Sequence, residues 1–472
     1  MSSISALDTL LGSGSSSVDL SSILQAAMGA ATPGIDVTSA VNAAVTAAQA
    51  PEQAWESQQS TLQNEISALT QIQTDAGNLD NDMQSLNSLI GPLSARSVSS
   101  SNSNVVSASA ASGTAVGNHV VTVNSLATTD TWTSATFASG STVLPAGTMT
   151  ITPGSGTATT ITTDGSSTTL SDVASQINSD NLGVTASVVT DATGARLAIV
   201  SNTTGSAANF TVSADSGFGF TQVATGANAS VTVDGIAISS ASNTVSGALP
   251  GITLNLLSAA PGTQVSLGVT PNTTQASAAI NQFVSDYNAT IKDLNAQFTF
   301  STSTNSEGPL SSDSSVRSLQ SELMQALDYT YTPSSGTTTM PNLSSMGITV
   351  NNDGTLSVDS GTLTSALQNN FGDVQNFFQG SAFNGFANTL DQQLTSFLAP
   401  GDGAFTLDLQ SMNSEITDLQ TDINNFETNY ITPLKAQLQS EYSQAEILLQ
   451  QLPTEMQQIN TELGYNNSSS KG

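Results

Sequence analysis

The chain contains few side chains that could carry out chemistry. It has no cysteine and one histidine, His119, so disulfides, thiolate nucleophiles, zinc clusters and any mechanism that needs two histidines are excluded. No Gly-x-Ser-x-Gly elbow at a strand-to-helix turn offers His119 a serine to activate. Asp and Glu are scattered along the sequence rather than grouped as glycoside hydrolysis would favour. We interpret His119 as a surface residue at the start of a strand.

Two glycine-containing segments bear a weak likeness to ion-binding or phosphate-binding loops. Residues 351–354 (Asn-Asn-Asp-Gly) begin like a calcium loop but lack the bidentate Glu at its end, and Asp353-Gly354 is the strongest hairpin-turn signal in the chain. Residues 217–219 lack the lysine of a phosphate-binding loop. We therefore predict no catalytic, metal-binding or cofactor-binding residues, and a protein that is not an enzyme and needs no cofactor.

The charge balance excludes several kinds of partner. Asp and Glu number 36 and Lys and Arg number 6, for a net charge of −30, yet charged residues make up only 9% of the chain. Almost no basic side chain is available to neutralise phosphates, so nucleic-acid binding is excluded and an anionic membrane surface is disfavoured. The sequence has no run of 18 apolar residues and therefore predicts no membrane-spanning helix. Residues 1–22 do not have the pattern of a cleaved secretory signal.

Apolar residues form two long ladders at helical spacing, one near each end of the chain, and the first, at 62–90, repeats at roughly 3.5 residues per step, the period of a coiled-coil seam. The first seam comprises Leu62, Ile66, Leu69, Ile72, Leu79, Met83, Leu86 and Ile90. The second seam comprises Met412, Ile416, Leu419, Ile423, Phe426, Tyr430, Leu434 and Leu438. The second ladder resumes at Tyr442, Ala445, Leu449, Leu452, Met456, Ile459 and Leu463.

Helix boundaries and interruptions follow from prolines, glycines and caps. Asp36 or Thr38 can cap a short first helix, and Gly91-Pro92 predicts the end of the helix that carries the first seam. Pro433 and Pro453 fall inside the second ladder and should kink its helix. The outward faces of these helices carry few ion pairs, so each seam needs a partner helix, in the same chain or a neighbouring one. We predict that part of this pairing is intermolecular.

The fold class that these patterns predict is α+β and multidomain, with N- and C-terminal coiled-coil helices and a helical leg flanking an inserted β-rich head. Between the ladders, Thr-, Val- and Ile-rich runs separated by turn signals predict strands. We predict a disordered N-terminal segment at 1–33, coiled-coil helices at 34–95, a β-rich head at 96–273 with an inserted subdomain at 128–230, a helical leg with a β-hairpin at 274–400, a coiled-coil helix at 401–465 and a polar tail at 466–472.

An ordered set of short segments resembles the flagellar filament cap family, also called hook-associated protein 2. Each segment alone is weak, but together they span most of residues 34–463 in the family's order, and residues 171–213 are similar to a small module shared with flagellins. The segments are Gly34–Val37, Gly117–Ala127, Asn243–Val245, Leu249–Leu256, Pro261-Gly262, Phe283–Asn288, Gly308–Leu310, Asp313, Arg317, Gly347-Ile348 and Asp353–Leu356.

The resemblance implies a non-enzymatic assembly factor outside the cell, at the distal tip of the bacterial flagellum. Several copies would form a ring-like homo-oligomer that promotes the folding and insertion of exported flagellin subunits. It also implies contacts with hook–filament junction proteins, a cytoplasmic export chaperone and export by the flagellar type III route. Residues 1–33 would then be an export segment, and both seams would serve oligomerisation.

Two other interpretations remain open at this point. One is another axial flagellar protein, such as a hook–filament junction protein. The other is a surface adhesin or tail-fibre protein, which would share the Thr-, Ser- and Gly-rich strands but would carry a stalk at one end rather than seams at both. An assay of flagellin polymerisation onto filament seeds separates these classes.

Overall fold

The computed structural model describes residues 36–154, 156–302, 306–333 and 336–462. The predictions for residues 1–33 and 466–472, and for Leu463 on the second ladder, lie outside this range. The chain divides into two compact units: the described parts of 1–73, 296–316 and 397–472 form the first, and 74–295 with 317–396 form the second. None of the helices in the described residues has an apolar stretch long enough to cross a membrane.

Helices flank a β-rich middle, which confirms the predicted fold class. Asp36 is the N-cap of the first helix, because its carboxylate accepts a hydrogen bond from the backbone N–H of Ser39 at 3.1 Å. The helices are α1 (Val37–Ala48), α2 (Ala50–Asn87), α3 (Leu170–Ser179), α4 (Thr273–Phe298), α5 (Ser314–Ala326), α6 (Ser360–Asn369), α7 (Phe371–Gln379), α8 (Phe386–Leu398), α9 (Ala404–Phe426) and α10 (Thr432–Glu462).

The β-rich head consists of two antiparallel sheets that share one apolar core. The first has the order β1-β15-β3-β11-β12 and the second the order β13-β14-β2. Valines, leucines and isoleucines on alternate positions of these strands are buried between the sheets. The strands are β1 (Arg96–Ser100), β2 (Val106–Ala110), β3 (Gly117–Ser125), β11 (Ala229–Val233), β12 (Ile236–Ser240), β13 (Thr244–Leu249), β14 (Ile252–Leu256) and β15 (Val265–Pro271).

A second β-rich module is inserted into the head between β3 and β11, which pair with each other. It has its own core, formed by a sheet of order β10-β4-β8-β7, a sheet of order β6-β5-β9 and α3. Thr169 and Asp172 form a reciprocal capping box at the start of α3. The strands are β4 (Thr131–Thr133), β5 (Gly147–Pro153), β6 (Thr159–Thr163), β7 (Val184–Asp191), β8 (Gly194–Ser201), β9 (Phe210–Ala214) and β10 (Thr221–Ala224).

The hairpin predicted at Asp353-Gly354 is confirmed: β16 (Ile348–Val350) pairs with β17 (Leu356–Val358). Gly354 has φ +81°, the left-handed conformation that this turn requires. Asn288 of α4 binds β17 through its side-chain amide, which donates to the carbonyl of Leu356 at 2.8 Å and accepts from its N–H at 2.6 Å. One asparagine therefore replaces a strand neighbour and attaches the hairpin to α4.

One predicted helix end needs correction. Helix α2 ends at Asn87, before Gly91-Pro92, and Ile90 lies in the turn that follows. The side-chain amide of Gln379 donates to the carbonyls of Leu86 at 2.9 Å and Ser88 at 3.2 Å. It thereby satisfies the Leu86 carbonyl, which the end of the helix leaves open, whereas the Ser88 carbonyl also accepts from the N–H of Gly91 at 3.1 Å. Residues Glu427–Ile431 form a π-helical turn just before Pro433, where a proline removes a backbone donor. The predicted kink at Pro453, inside α10, stays a prediction.

Candidate functional site

His119, the single histidine of the chain, has a structural partner. Its Nδ1 lies 2.7 Å from Oδ2 of Asp234, and the other oxygen of Asp234 accepts from the N–H of Val120 at 2.8 Å. The hydrogen bond from His119, followed by that from Val120, lowers the pKa of Asp234. Asp234 lies in the turn between β11 and β12 with a positive φ of 51°, so the pair fixes this turn against β3.

The residues considered for ion binding also serve the backbone. Asp353 accepts hydrogen bonds from the N–H of Thr355 at 3.1 Å and from its hydroxyl at 2.6 Å, which lowers the pKa of the Asp353 carboxyl. Both bonds end on Oδ1 of Asp353 and close the hairpin turn. Within the described residues, no group of three His, Cys, Asp or Glu side chains is arranged to hold a metal ion.

The first seam is covered by the rest of the chain. Ile66 is partly buried, Leu62 is 8% exposed and Ile90 is 81% exposed because it lies beyond the end of α2. The prediction that Ile90 continues the seam is therefore wrong. The remaining members have no exposed surface: Leu69, Ile72, Leu79, Met83 and Leu86. An oligomeric contact cannot use these five side chains without first opening the fold.

In the first unit, α9 covers part of α2. The side-chain amide of Gln58 donates to Oε1 of Glu415 at 2.7 Å, and that of Gln59 donates to the carbonyl of Ile416 at 3.2 Å. Farther towards the start of α2, the ring of Trp55 packs edge-on against Phe426, with centroids 5.5 Å apart. Residues earlier on α2 thus meet residues later on α9, which is antiparallel pairing of helices within one chain.

The second seam is covered less completely than the first. Leu419 and Ile423 are buried, Tyr430 is 52% exposed, and the others are partly buried: Met412, Ile416, Phe426, Leu434 and Leu438. Near the junction of α9 and α10, a small core combines Val41 and Val45 of α1 with Ile431 and Tyr442. Here too the pairing is within the chain, and the oligomerisation role of both seams stays a prediction.

Beyond Tyr442 the apolar ladder of α10 loses its cover. Between 38% and 63% of each side chain is exposed in a group that we call the distal stripe. It comprises Leu448, Leu449, Leu452, Met456 and Ile459. At 3.6 residues per turn these positions share a face about 100° wide, the width of a core-facing helix surface. The ladder in the sequence includes four of the five, and the structure adds Leu448.

Carboxyl groups add a repulsive component to the α2–α9 contact. Glu52 is only 8% exposed, and burial, followed by the nearby charge of Glu427, raises its pKa. The pKa of Glu65 is raised by burial and then by Glu415. This interface therefore depends on apolar contact and on glutamine hydrogen bonds, and its carboxylates oppose it at neutral pH.

Two family models match the chain at the positions of these elements. Residues 33–130 match the flagellar hook-associated protein 2 N-terminus, and residues 226–454 match the flagellar hook-associated protein 2 C-terminus. The chain belongs to the flagellar hook-associated protein 2 family. Residues 148–203, inside the inserted module, match the flagellin hook IN motif. The seams, the β-rich head and the distal stripe are thus parts of a flagellar filament cap protein.

Individual members of the family are similar in sequence to this chain over most of its length. It is 27% identical over 402 residues to the B-type flagellar hook-associated protein 2 of Pseudomonas aeruginosa, which covers 78% of this chain and 82% of the relative. It is 29% identical over 337 residues to that of Escherichia coli, covering 66% and 70%. The crystal structure of the D1-D2-D3 domains of the flagellar cap protein FliD from Escherichia coli matches with a TM-score of 0.58 and 27% identity, covering 73% of this chain and 99% of that one.

Proposed function

We propose that this chain works at the filament tip as an assembly of several copies, and that the distal stripe is the surface by which each copy contacts another protein chain. The observation that carries the proposal is the contrast along the ladders. The first seam is almost fully buried in the chain, whereas the side chains of the distal stripe are exposed along one whole face of the helix. An exposed apolar face of this kind is the usual mark of an interaction site.

The free energy expected for one such contact suits a cap that must move as the filament grows. Full burial of a Leu, Ile or Met side chain is worth about 1.5–3 kcal/mol, so covering the exposed half of five of them gives about 4–7 kcal/mol. Bringing two proteins together costs about 4–15 kcal/mol. One stripe alone is therefore a weak, reversible contact, and several stripes in one assembly provide the stability through avidity.

The domains then divide the work. In this proposal the β-rich head at 96–273, with its insert at 128–230, forms the plate, and the helical segments at 34–95, 274–400 and 401–465 form the legs. Flagellin subunits fold beneath the plate, and hook–filament junction proteins are met before the first flagellin is added. A cytoplasmic chaperone covers the distal stripe before type III export, and none of these steps requires catalysis.

A variant that changes only the distal stripe tests the proposal. We expect Leu449→Ser/Leu452→Ser/Met456→Ser to fold with the circular dichroism and melting temperature of the wild type, because these side chains are already exposed. The variant should not restore swimming in a cap-less strain and should not support flagellin polymerisation onto filament seeds. A matched variant on the opposite face, Gln450→Ser, should behave as the wild type. A triple variant that restores swimming fully would contradict the proposal.

A further inference from the structure

In the second unit, acidic side chains of α2 face acidic side chains of neighbouring helices. Asp82 lies within hydrogen-bonding reach of Asp286 on α4, and Asp80 within reach of Asp391 on α8. A third pair, Asp75 with Asp293, repeats the contact between α2 and α4 seven residues away on both helices. The equal spacing in opposite directions is the register of an antiparallel helix pair.

Asp80 and Asp82 each have one carboxylate oxygen without a hydrogen-bond donor within the described residues. Oδ1 of Asp80 and Oδ2 of Asp82 are buried and find no hydrogen-bond donor among the described groups. The amide of Gln84 donates to the other oxygen of Asp80 at 2.8 Å, and the amide of Gln282 donates to Asp286 at 2.9 Å. Two ionised carboxylates offer only acceptors, so a hydrogen bond between them requires one proton.

The charged groups around these pairs do not replace that proton. On α4, Lys292 is exposed and acts on Asp353 instead, and Tyr287 is a buried neutral neighbour. On α8 the facing group is Asp391 itself. Helix α5, which Gln320 links to Asn295 at the far end of α4, carries Arg317 and Glu322. We consider below only the pairs that Asp80 and Asp82 form, and not the pair of Asp75 with Asp293.

We propose that the Asp80–Asp391 and Asp82–Asp286 pairs each share one proton and form a pH-dependent clasp that holds α2 to α8 and α4. In the protonated clasp, one carboxyl donates to the other across the helix interface. When the proton leaves, two like charges face each other across the same short distance, and the contact becomes repulsive. The clasp lies in the second unit and the distal stripe in the first.

The electrostatics of the interface agree with this arrangement. Burial, followed by the charge of the facing carboxyl, raises the pKa of Asp80 and of Asp82 to about 7. A raised pKa means that the folded chain binds a proton that the unfolded chain has already released. The clasp is therefore intact in acid, and its contribution is lost as the pH rises towards and through about 7.

Hydrogen exchange of the full chain between pH 4.5 and pH 8.5 measures the clasp locally. After correction for the intrinsic pH dependence of exchange, we expect the opening constant of residues 74–87, 280–295 and 386–396 to rise with pH. The upper limit is about tenfold per pH unit for each shared proton. Peptides from the β-rich head are the internal control and should keep a constant opening constant. No rise in the three helical segments would overturn the proposal.

Substitution separates a shared proton from a general effect of charge. Asp80→Asn/Asp82→Asn supplies a permanent amide donor to each facing carboxylate, so we expect it to fold and to lose most of the pH dependence. A matched variant, Asp402→Asn/Asp418→Asn, removes the same charge from exposed positions and should keep the wild-type dependence. The proposal fails if the first variant retains the wild-type pH dependence or is less protected than the wild type at pH 5.

Discussion

The first seam on α2 and the distal stripe on α10 have the same pattern in the sequence but opposite environments in the structure. Both are ladders of Leu, Ile and Met at nearly the same helical period. Leu69, Ile72 and Leu79 have no exposed surface, whereas 47% of Leu452 and 58% of Met456 are exposed. Periodicity identifies a helix that has an apolar face. Whether the same chain covers that face depends on neighbours that are distant in the sequence.

The largest effect is expected in the covered seam. Leu79→Ala removes a fully buried side chain and leaves a cavity, so the free energy of unfolding should fall by about 2–5 kcal/mol. Urea denaturation followed by circular dichroism measures the loss. A change below about 0.5 kcal/mol, the range of surface substitutions, would show that the seam is not packed as described.

Features that depend on neighbouring residues could be predicted from the sequence, whereas contacts between distant residues could not. The cap of α1, for which the sequence offered Asp36 or Thr38, the Asp353-Gly354 hairpin and the helical period of α2 are encoded within a few residues of chain. Helix α2 ends three residues before Ile90, and the side chain that binds there, Gln379, is far away in the sequence and carries no local signal. Asp and Glu looked scattered in the sequence, yet folding brings Asp82 to Asp286. The numbering alone gives no reason to pair them.

A smaller effect is expected at the end of the covered seam. Gln379→Ala deletes the amide that binds the buried carbonyl of Leu86, and leaving such a group unsatisfied costs about 1–3 kcal/mol. Hydrogen exchange near residue 87 should accelerate with the loss of stability. The exposed Gln368 provides a control, since Gln368→Ala should leave both measurements unchanged. If Gln379→Ala and Gln368→Ala gave the same stability and the same exchange, Gln379 would not cap the end of α2.

The smallest effect on stability is expected in the distal stripe. Leu452→Ala makes the same chemical change as Leu79→Ala, but the side chain is 47% exposed, so the free energy of unfolding of the dilute chain should change by less than about 0.5 kcal/mol. Repeating the denaturation at high protein concentration sharpens the comparison. The wild type should then gain stability by mass action and the variant should not. A loss of several kcal/mol in the dilute chain would place Leu452 in a packed core.

The central claim is that the chain fills its own first seam and leaves the distal stripe for other chains. Because the chain has no cysteine, single cysteines at Leu452 and at Gln450, on the opposite face of α10, can be labelled with a maleimide across a range of protein concentrations. The account predicts that both react quickly in the dilute chain and that only the cysteine at position 452 becomes protected as copies assemble. Equal reactivity of the two positions at every concentration, in a preparation that has assembled, would contradict it.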